Sequence, residues 1–310
     1  MNMKYRKIVL AGGNGYLGKV LARYYRDLAE EVIILSRNAT PTNENIKTIV
    51  WNGVDDGDWE PALEGAELLV NLCGKNVNCK YTEKNKKEII SSRVNPTILL
   101  GKAISKLKSP PELWINITSA TIYRHAEDRP QDEETGDIGY GFSIDVCRKW
   151  EQTFFDTTTP STRKIALRMG IVLGRSDGAF PRLLNLVKFG LGGRQGDGGQ
   201  YVSWIHEQDV AKCTEWLIQH KELAGVINCT APEPIKNTDL MKCIRDSYGI
   251  PFGFPSPAWL LELGALIIGT ETELILKSRW VVPKRLTNAG YEFIFAKATH
   301  AVKDIISIAD

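Results

Sequence analysis

The chain has 310 residues, 43% hydrophobic and 25% charged, which is the composition of an ordinary globular protein. Its formal net charge of +2 is nearly balanced, so we expect neither nucleic acid nor an acidic membrane surface as the main partner. The six cysteines and four histidines form no Cys-x-x-Cys pair and no ligand-like spacing, so the sequence predicts neither a disulfide framework nor a metal site.

The apolar segments of the chain are short. The N-terminal run extends for about five residues before glycines follow, too few for a signal peptide. The longest apolar segment, residues 258–269, contains Glu262 and falls short of the roughly 20 residues that a membrane span needs. We therefore expect a cytoplasmic protein that does not enter a membrane.

Short β-rich segments alternate with helical segments through the first half of the chain. The predicted strands are residues 7–12, 31–37, 46–51, 67–74, 112–119 and 163–173, and the predicted helices are 16 to about 29, 84–106 and 141–155. Apolar strands with helices between them are typical of a parallel sheet covered on both faces. The sequence therefore predicts an α/β fold with a Rossmann-type doubly wound parallel sheet.

The regular alternation of predicted strands and helices ends after about residue 175. Residues 190–199 include six glycines, which predicts a loop between two lobes, and Arg194 and Gln195 within it are candidates for contacting a polar substrate. A helix is predicted at 257–277, followed by an amphipathic tail. We therefore divide the chain into a Rossmann domain at 1–178 and a smaller, mixed α/β substrate lobe at 179–310, with some segments of the lobe returning to the sheet.

A glycine-rich segment, GGNGYLG, joins the first predicted strand to the first predicted helix. Its spacing is a variant of the dinucleotide-binding fingerprint, in which Gly12 permits a tight turn and Gly15 lets the backbone approach a pyrophosphate. Gly18 lets the helix pack closely on the strand, and the helix N-terminus offers free N–H groups to phosphates. The segment therefore predicts a bound dinucleotide, with Gly12, Gly15, Tyr16, Leu17 and Gly18 as binding residues.

The end of the second predicted strand indicates which dinucleotide this is. NAD-binding proteins usually have Asp or Glu there for the ribose 2′-hydroxyl, whereas this chain has Leu35-Ser36-Arg37. Arg37 can pair bidentately with a 2′-phosphate and Ser36 can donate a hydrogen bond to it, so the favoured cofactor is NADP(H). The alternative for Arg37 is a solvated arginine at a strand end.

Several sequence blocks resemble, in the right order, the extended short-chain dehydrogenases/reductases. The resemblance is strongest to their atypical branch, the NAD(P)-dependent epimerase/dehydratase-like proteins with a short C-terminal extension. The blocks are GGNGYLG, NLCGKNV, EIISSRV, TSATIY, VCRKWE, RMGIVLG, GLGGRQGDGGQYVSWIHEQD and WVVPKRLTNAGYEF. The cofactor-binding residues that this resemblance implies are Leu72, Cys73, Gly74, Glu88, Arg93 and Ile171. For Glu88 and Arg93, a solvent-facing position on a long helix is the alternative.

The catalytic pair of the wider superfamily, a tyrosine with a lysine four residues later, is missing from this chain. None of the ten tyrosines has lysine at that spacing. Alignment on Glu151 places Ser143 and Cys147 at the two positions, and neither can act as a phenol or a cation. This departure agrees with the atypical branch.

Other side chains remain as candidates for handling a proton. Ser119 ends the fifth predicted strand, where it either orients a substrate oxygen or caps the strand. Tyr123 either supplies a phenol or packs in the core, and His206 is an acid or base if it faces the pocket. Trp204 lines the pocket or belongs to the core, while Asp209 suits a helix N-cap or first turn.

Two functions follow from these residues. The first is an NADP(H)-dependent oxidoreductase or epimerase that acts on a small oxygenated metabolite or a nucleotide sugar. The second is a catalytically silent NADP(H) sensor or binding protein. The missing pair favours the second function, whereas the complete cofactor loop fits both. The resemblance also suggests a homodimer through residues 84–106 and 141–155.

Overall fold

In the computed structural model, which describes residues 3–39, 45–259, 261 and 276–307, a seven-stranded parallel sheet forms the centre of the protein. The strands of the protein are β1 (Tyr5–Ala11), β2 (Ala29–Ser36), β3 (Ile46–Val50), β4 (Leu68–Asn71), β5 (Leu113–Ser119), β6 (Arg163–Met169), β7 (Ile171–Leu173), β8 (Tyr201–Val202), β9 (Trp204–His206), β10 (Gly225–Cys229) and β11 (Ile235–Lys236). The central sheet has the order β3-β2-β1-β4-β5-β6-β10, and all neighbouring strands in it are parallel. This order confirms the predicted doubly wound fold.

The helices follow the predicted alternation. They are α1 (Tyr16–Arg26), α2 (Glu83–Ile104), α3 (Phe142–Asp156), α4 (Phe180–Lys188), α5 (Glu207–Gln219), α6 (Asn237–Tyr248), α7 (Lys284–Asn288) and α8 (Ala298–Ser307). The first helix is shorter than predicted, because Ala29 already pairs with Tyr5 in the sheet. Most of the predicted helix at 257–277 and the last three residues of the tail lie outside the described residues.

Successive strand residues point to opposite faces of the sheet. In β1, Ile8 and Leu10 belong to one core cluster, which also contains side chains of α1 and α5. Val9 and Ala11 belong to a second cluster, with side chains of α2 and α3. Burial on both faces explains why these strands are apolar along their whole length.

The predicted strand at 163–173 is wrong in one respect, because the structure divides it at Gly170. The Gly170 N–H donates to the carbonyl of Cys229 over 3.0 Å, and the next N–H, of Ile171, donates to the carbonyl of Ser203 over 2.8 Å. A Cβ atom at Gly170 would lie 2.9 Å from the Ser203 oxygen. Glycine therefore allows the chain to leave the central sheet after β6 and to pair β7 with β9.

A separate core cluster forms the second part of the molecule. It contains side chains of α4, α6 and α8, and Trp204 is fully buried within it. Gln195, from the glycine-rich loop, is also buried, and its side chain accepts a 2.9 Å hydrogen bond from Asn237. Trp204 and Gln195 therefore contribute to the structure of this part, and the predicted contact of Gln195 with a substrate has no support.

The chain returns from this second part to the central sheet. Helix α5 packs beside α1, and β10 pairs with β6. Asp209, in the first turn of α5, accepts hydrogen bonds from the N–H groups of Ile294 and Phe295 over 2.7 and 2.9 Å, so its role is structural. None of the helices in the described ranges is long and apolar enough to cross a membrane.

Candidate functional site

A cavity of about 750 Å³ opens at the carboxyl ends of β1, β2 and β4. The strand order reverses between β1 and β4, and doubly wound proteins bind dinucleotides at such a crevice. The lining includes eight residues that the sequence or the resemblance indicated, namely Gly12, Gly15, Ser36, Arg37, Leu72, Cys73, Gly74 and Glu88. Residues from four different segments of the chain therefore meet in one cavity.

The glycine loop has a different physical requirement at each of its three spaced glycines. Gly12 adopts φ +79°, and a Cβ there would lie 3.0 Å from the sulfur of Cys73. A Cβ at Gly15 would have only the Gly12 oxygen within 4 Å, at 3.9 Å, so this position is open on the cavity side. A Cβ at Gly18 would lie 2.2 Å from the oxygen of Gly13, which leaves no room for a side chain. Gly12 is thus needed for the turn, Gly15 for the approach of a ligand and Gly18 for the close packing of helix on strand.

The first turn of α1 offers its backbone rather than its side chains. Gly15 is the N-cap and contributes no side-chain hydrogen bond, and no acidic residue lies in the first turn. The Tyr16 hydroxyl donates to the carboxylate of Glu207, and burial raises the pKa of Tyr16. Leu17 packs against the core. The N–H groups at this terminus therefore supply the anion-binding capacity of the loop.

Asn14 connects the glycine loop to the end of β2, a role that sequence reasoning missed. Its side-chain amide donates to Ser36 Oγ over 2.5 Å and to the carbonyl of Asn38 over 3.3 Å. Both Asn14 and Ser36 line the cavity. The position of Asn14 inside the glycine motif was the signal that pointed to it, but its partners lie 22 and 24 residues further along the chain.

Arg37 brings a positive charge to the same end of the cavity. The residue is exposed, and its guanidinium lies close enough to the half-buried thiol of Cys73 to affect it electrostatically. Burial raises the pKa of that thiol to about 12, and Arg37 opposes this shift, so the thiol stays neutral. Within the described part of the chain, no carboxylate forms an ion pair with Arg37. Its charge is therefore available to an anionic ligand.

Glu88 and Arg93 project from α2 in different ways. The carboxylate of Glu88 pairs with the ammonium of Lys75, and this hydrogen bond lowers the pKa of Glu88. Arg93 lies under the segment after β4, where its guanidinium donates to the carbonyls of Ile89 and Lys75 over 2.9 and 3.1 Å. The solvent-facing alternative is therefore wrong for Arg93, which supports the wall of the cavity at Gly74, where a Cβ would lie 3.1 Å from Arg93 Cζ.

Ser119 ends β5, Tyr123 follows the short 3-10 turn after it, and both have partners within the protein. Ser119 Oγ accepts from the N–H of Thr121 over 3.2 Å and so caps the short 3-10 turn at Ala120–Ile122. Tyr123 is 1% exposed, and its hydroxyl donates to Asn228 Oδ1 over 3.0 Å while accepting from Arg168 over 2.8 Å. Ser119 is only partly buried, whereas Tyr123 is enclosed.

A buried ion pair, absent from the sequence analysis, underlies these two residues. Arg168 in β6 donates to both carboxylate oxygens of Glu151 in α3, over 2.9 and 2.7 Å. Thr118 Oγ1 donates to the same carboxylate over 2.9 Å. An arginine inside the otherwise apolar run of a central strand was the available signal, because such a charge needs a buried partner.

His206 and Ile171 lie in the second part of the molecule, and neither they nor Ser119 and Tyr123 line the cavity. His206 Nδ1 accepts from the N–H of Gln208 over 3.2 Å and caps α5, while Nε2 is 3.4 Å from a carboxylate oxygen of Asp304. Burial lowers the pKa of His206 to about 4, so the ring is neutral at physiological pH. Most of the predicted cofactor residues therefore cluster, while Ile171 and the predicted proton-handling residues lie elsewhere.

The sheet order, the glycine loop and the cavity define a dinucleotide-binding protein of the Rossmann type. The family model of the NAD dependent epimerase/dehydratase family matches residues 8–229, and the chain belongs to this family. A second model, a domain of unknown function called DUF1731, matches residues 256–305. The resemblance inferred from the sequence blocks is thereby confirmed.

Relatives within the family match this chain over almost its whole length. The mouse epimerase family protein SDR39U1 is 28% identical over 305 residues, which cover 97% of this chain and all of the mouse protein. The Bacillus subtilis epimerase family protein YfhF is 29% identical, with 97% of this chain and 98% of that protein covered. A crystal structure of human SDR39U1 (isoform 2) with NADPH superposes with a TM-score of 0.85 at 28% identity, covering 97% of this chain and 99% of the human chain.

Proposed function

We propose that the chain binds NADP(H) in the cavity at the carboxyl ends of β1, β2 and β4, and that it is an oxidoreductase or epimerase acting on a small oxygenated metabolite or a nucleotide sugar. The observation that carries the proposal is Arg37, an exposed cation beside the cavity that no described carboxylate neutralises. The NADPH in the crystal structure of the human relative supports the same cofactor.

The residues around the cavity fit the chemical parts of NADP(H). Open backbone at Gly15 and the uncapped N–H groups of α1 suit a pyrophosphate, and Arg37 with Ser36 suits a 2′-phosphate. A carboxylate at Arg37 would instead repel that phosphate. When bound, this cofactor supplies hydride transfer, so the protein's part is to hold the substrate and to move a proton at its oxygen.

A catalytically silent NADP(H) sensor is the second candidate function. The observation that favours it is the environment of Tyr123, whose hydroxyl is held by Asn228 and Arg168 instead of facing the cavity. Ser143 and Cys147 at the positions of the missing pair favour it as well.

The two functions are separated by incubating the protein with NADPH and a panel of aldehydes, ketones and nucleotide sugars. Reduction is followed by the loss of nicotinamide absorbance, and epimerisation, which consumes no cofactor, by chromatography of the sugars. We expect turnover of at least one compound. NADPH binding at micromolar concentration without turnover would support the sensor, and failure to bind NADPH would contradict both candidates.

A further inference from the structure

Two contacts fix the orientation of the Asn14 side-chain amide between the glycine loop and the end of β2. The nitrogen Nδ2 is 3.3 Å from the backbone carbonyl oxygen of Asn38, which can only accept a hydrogen bond. The group that faces this carbonyl is therefore the NH₂ of the amide and not its oxygen. The same nitrogen is 2.5 Å from Ser36 Oγ, so the hydroxyl of Ser36 accepts a hydrogen bond from Asn14.

The Ser36 hydroxyl accepts from a second donor as well. The backbone N–H of Asn38 donates to the same oxygen over 3.4 Å, a local bond that is common for serine in a turn. A hydroxyl oxygen has two lone pairs, so both are engaged and its single proton is left to donate. The described part of the chain supplies no acceptor for this proton. Ser36 is 8% exposed and lines the cavity, so the acceptor open to its hydroxyl is a ligand there.

A hydroxyl that can only donate distinguishes the two forms of the adenosine ribose. The oxygens of a 2′-phosphate accept hydrogen bonds and carry charge, so a bond from Ser36 to them is charge-assisted. A 2′-hydroxyl has a proton of its own, which the Ser36 oxygen cannot accept because its lone pairs are engaged. The next residue, Arg37, offers donors only. These two side chains therefore present donors where NAD-binding proteins usually present a carboxylate.

We propose that Asn14 is a positioning residue that holds the Ser36 hydroxyl as a donor, and that this orientation selects a 2′-phosphate over a 2′-hydroxyl. This inference rests on the proposed function. Asn14 acts through Ser36 and needs no contact of its own with the ligand. Its contribution adds to the selectivity that the charge of Arg37 provides.

Calorimetric titration with 2′,5′-ADP and with 5′-AMP tests the proposal, because these nucleotides differ only in the 2′-phosphate. The preference for 2′,5′-ADP is the ratio of the two dissociation constants. We expect Asn14→Ala to lower this preference by about 3- to 10-fold, since the Ser36 hydroxyl is then free to rotate away from the ligand. A purely structural effect on the loop would weaken both nucleotides alike and leave the preference unchanged. An unchanged preference in Asn14→Ala would overturn the proposal. Asn95→Ala, which removes an amide from the α2 side of the same cavity, is the control and should not change it.

A double-mutant cycle shows whether Asn14 acts through Ser36. We expect Ser36→Ala to lower the preference for 2′,5′-ADP by about 10-fold or more, because a hydrogen bond to a charged group is lost. The double variant of Asn14→Ala and Ser36→Ala should lower it no further than Ser36→Ala alone, since no hydroxyl is left to orient. Effects of the two substitutions that multiply in the double variant would overturn the role of Asn14 as a positioning residue.

The wild type separates this inference from the proposed function. Equal affinity of the wild type for 2′,5′-ADP and 5′-AMP would contradict the proposed cofactor, and this inference with it. A preference of the wild type for 2′,5′-ADP that Asn14→Ala retains would support the cofactor and overturn only the role of Asn14. If Asn14→Ala does not fold, Asn14→Asp replaces it with nearly the same shape. Its carboxylate accepts the Ser36 proton, so we expect the preference to fall at least as far, and a retained preference would overturn the proposal.

Discussion

The polar side chains at the carboxyl ends of the sheet have different roles in its two halves. We call the ends of β1, β2 and β4 the first edge, and those of β5, β6 and β10 the second edge. At the first edge, Arg37 carries a charge that no described carboxylate neutralises, and Gly15 leaves backbone open to the cavity. At the second edge, Arg168 donates hydrogen bonds to both Glu151 and Tyr123 in the interior. The first edge serves ligand binding and the second serves stability. Substitutions at the first edge should therefore change mainly the affinity for NADPH, and those at the second mainly the free energy of unfolding.

The largest expected effect is on stability, at the second edge. Arg168→Met leaves the carboxylate of Glu151 buried without its cation, which should lower the free energy of unfolding by about 3–5 kcal/mol. Arg37→Met, at the exposed first edge, is the matched control and should change it by less than about 0.5 kcal/mol. Urea unfolding measures both, and equal losses would remove the distinction between the two edges.

The glycine loop contains both kinds of position within four residues. Gly18→Ala should lower the free energy of unfolding by about 1–3 kcal/mol, because its Cβ would lie 2.2 Å from the backbone oxygen of Gly13. Gly15→Ala has an ordinary φ of −71° and open space, so it should leave stability nearly unchanged and weaken NADPH binding. Thermal unfolding measures the stability of both variants, and NADPH titration measures their affinity. A Gly15→Ala variant less stable than Gly18→Ala would contradict this division of roles.

The fold and the cofactor side of the site were predictable because their signals are local. The glycines at 12, 15 and 18 predict a tight turn, an open backbone and close helix packing from their spacing alone, and Arg37 follows a recognisable strand. The family resemblance added Leu72 and Cys73, which line the cavity as expected. Each of these predictions depended on residues that are neighbours in the chain.

The remaining features depend on partners that are distant in the sequence. The run from 163 to 173 is β-forming throughout, and only the contacts of Gly170 with Cys229 and Ser203 show where it divides. Asn14 meets Ser36 across 22 residues, and Arg93 faces inward because of carbonyls that the helix pattern does not reveal. The proton-handling candidates were chosen by residue type and by position along the chain, which do not determine the direction of a side chain.

A smaller, pH-dependent effect is expected in the second part of the molecule. The pKa of His206 is about 4 in the folded protein and near 6.5 when unfolded, so the unfolded state binds the proton first. The free energy of unfolding should therefore be highest above about pH 6.5 and fall towards pH 4, by at most about 1.4 kcal/mol per pH unit. His206→Asn keeps a cap acceptor for Gln208, and urea unfolding across this range should show a shallower slope for it. Identical slopes would mean that His206 does not stay neutral in the fold.

Binding of a 2′-phosphate by Arg37 is tested most directly by titrating wild type and Arg37→Asp with NADPH and NADH, followed by nicotinamide fluorescence. A hydrogen bond to a charged group contributes about 1.5–3 kcal/mol, so Arg37→Asp should weaken NADPH binding roughly 10- to 100-fold or more. NADH lacks the 2′-phosphate and should bind nearly as before, and Arg148→Asp, an exposed arginine on α3, should change neither affinity. Equal loss of both nucleotides in Arg37→Asp would contradict the assignment of NADP(H) to this cavity.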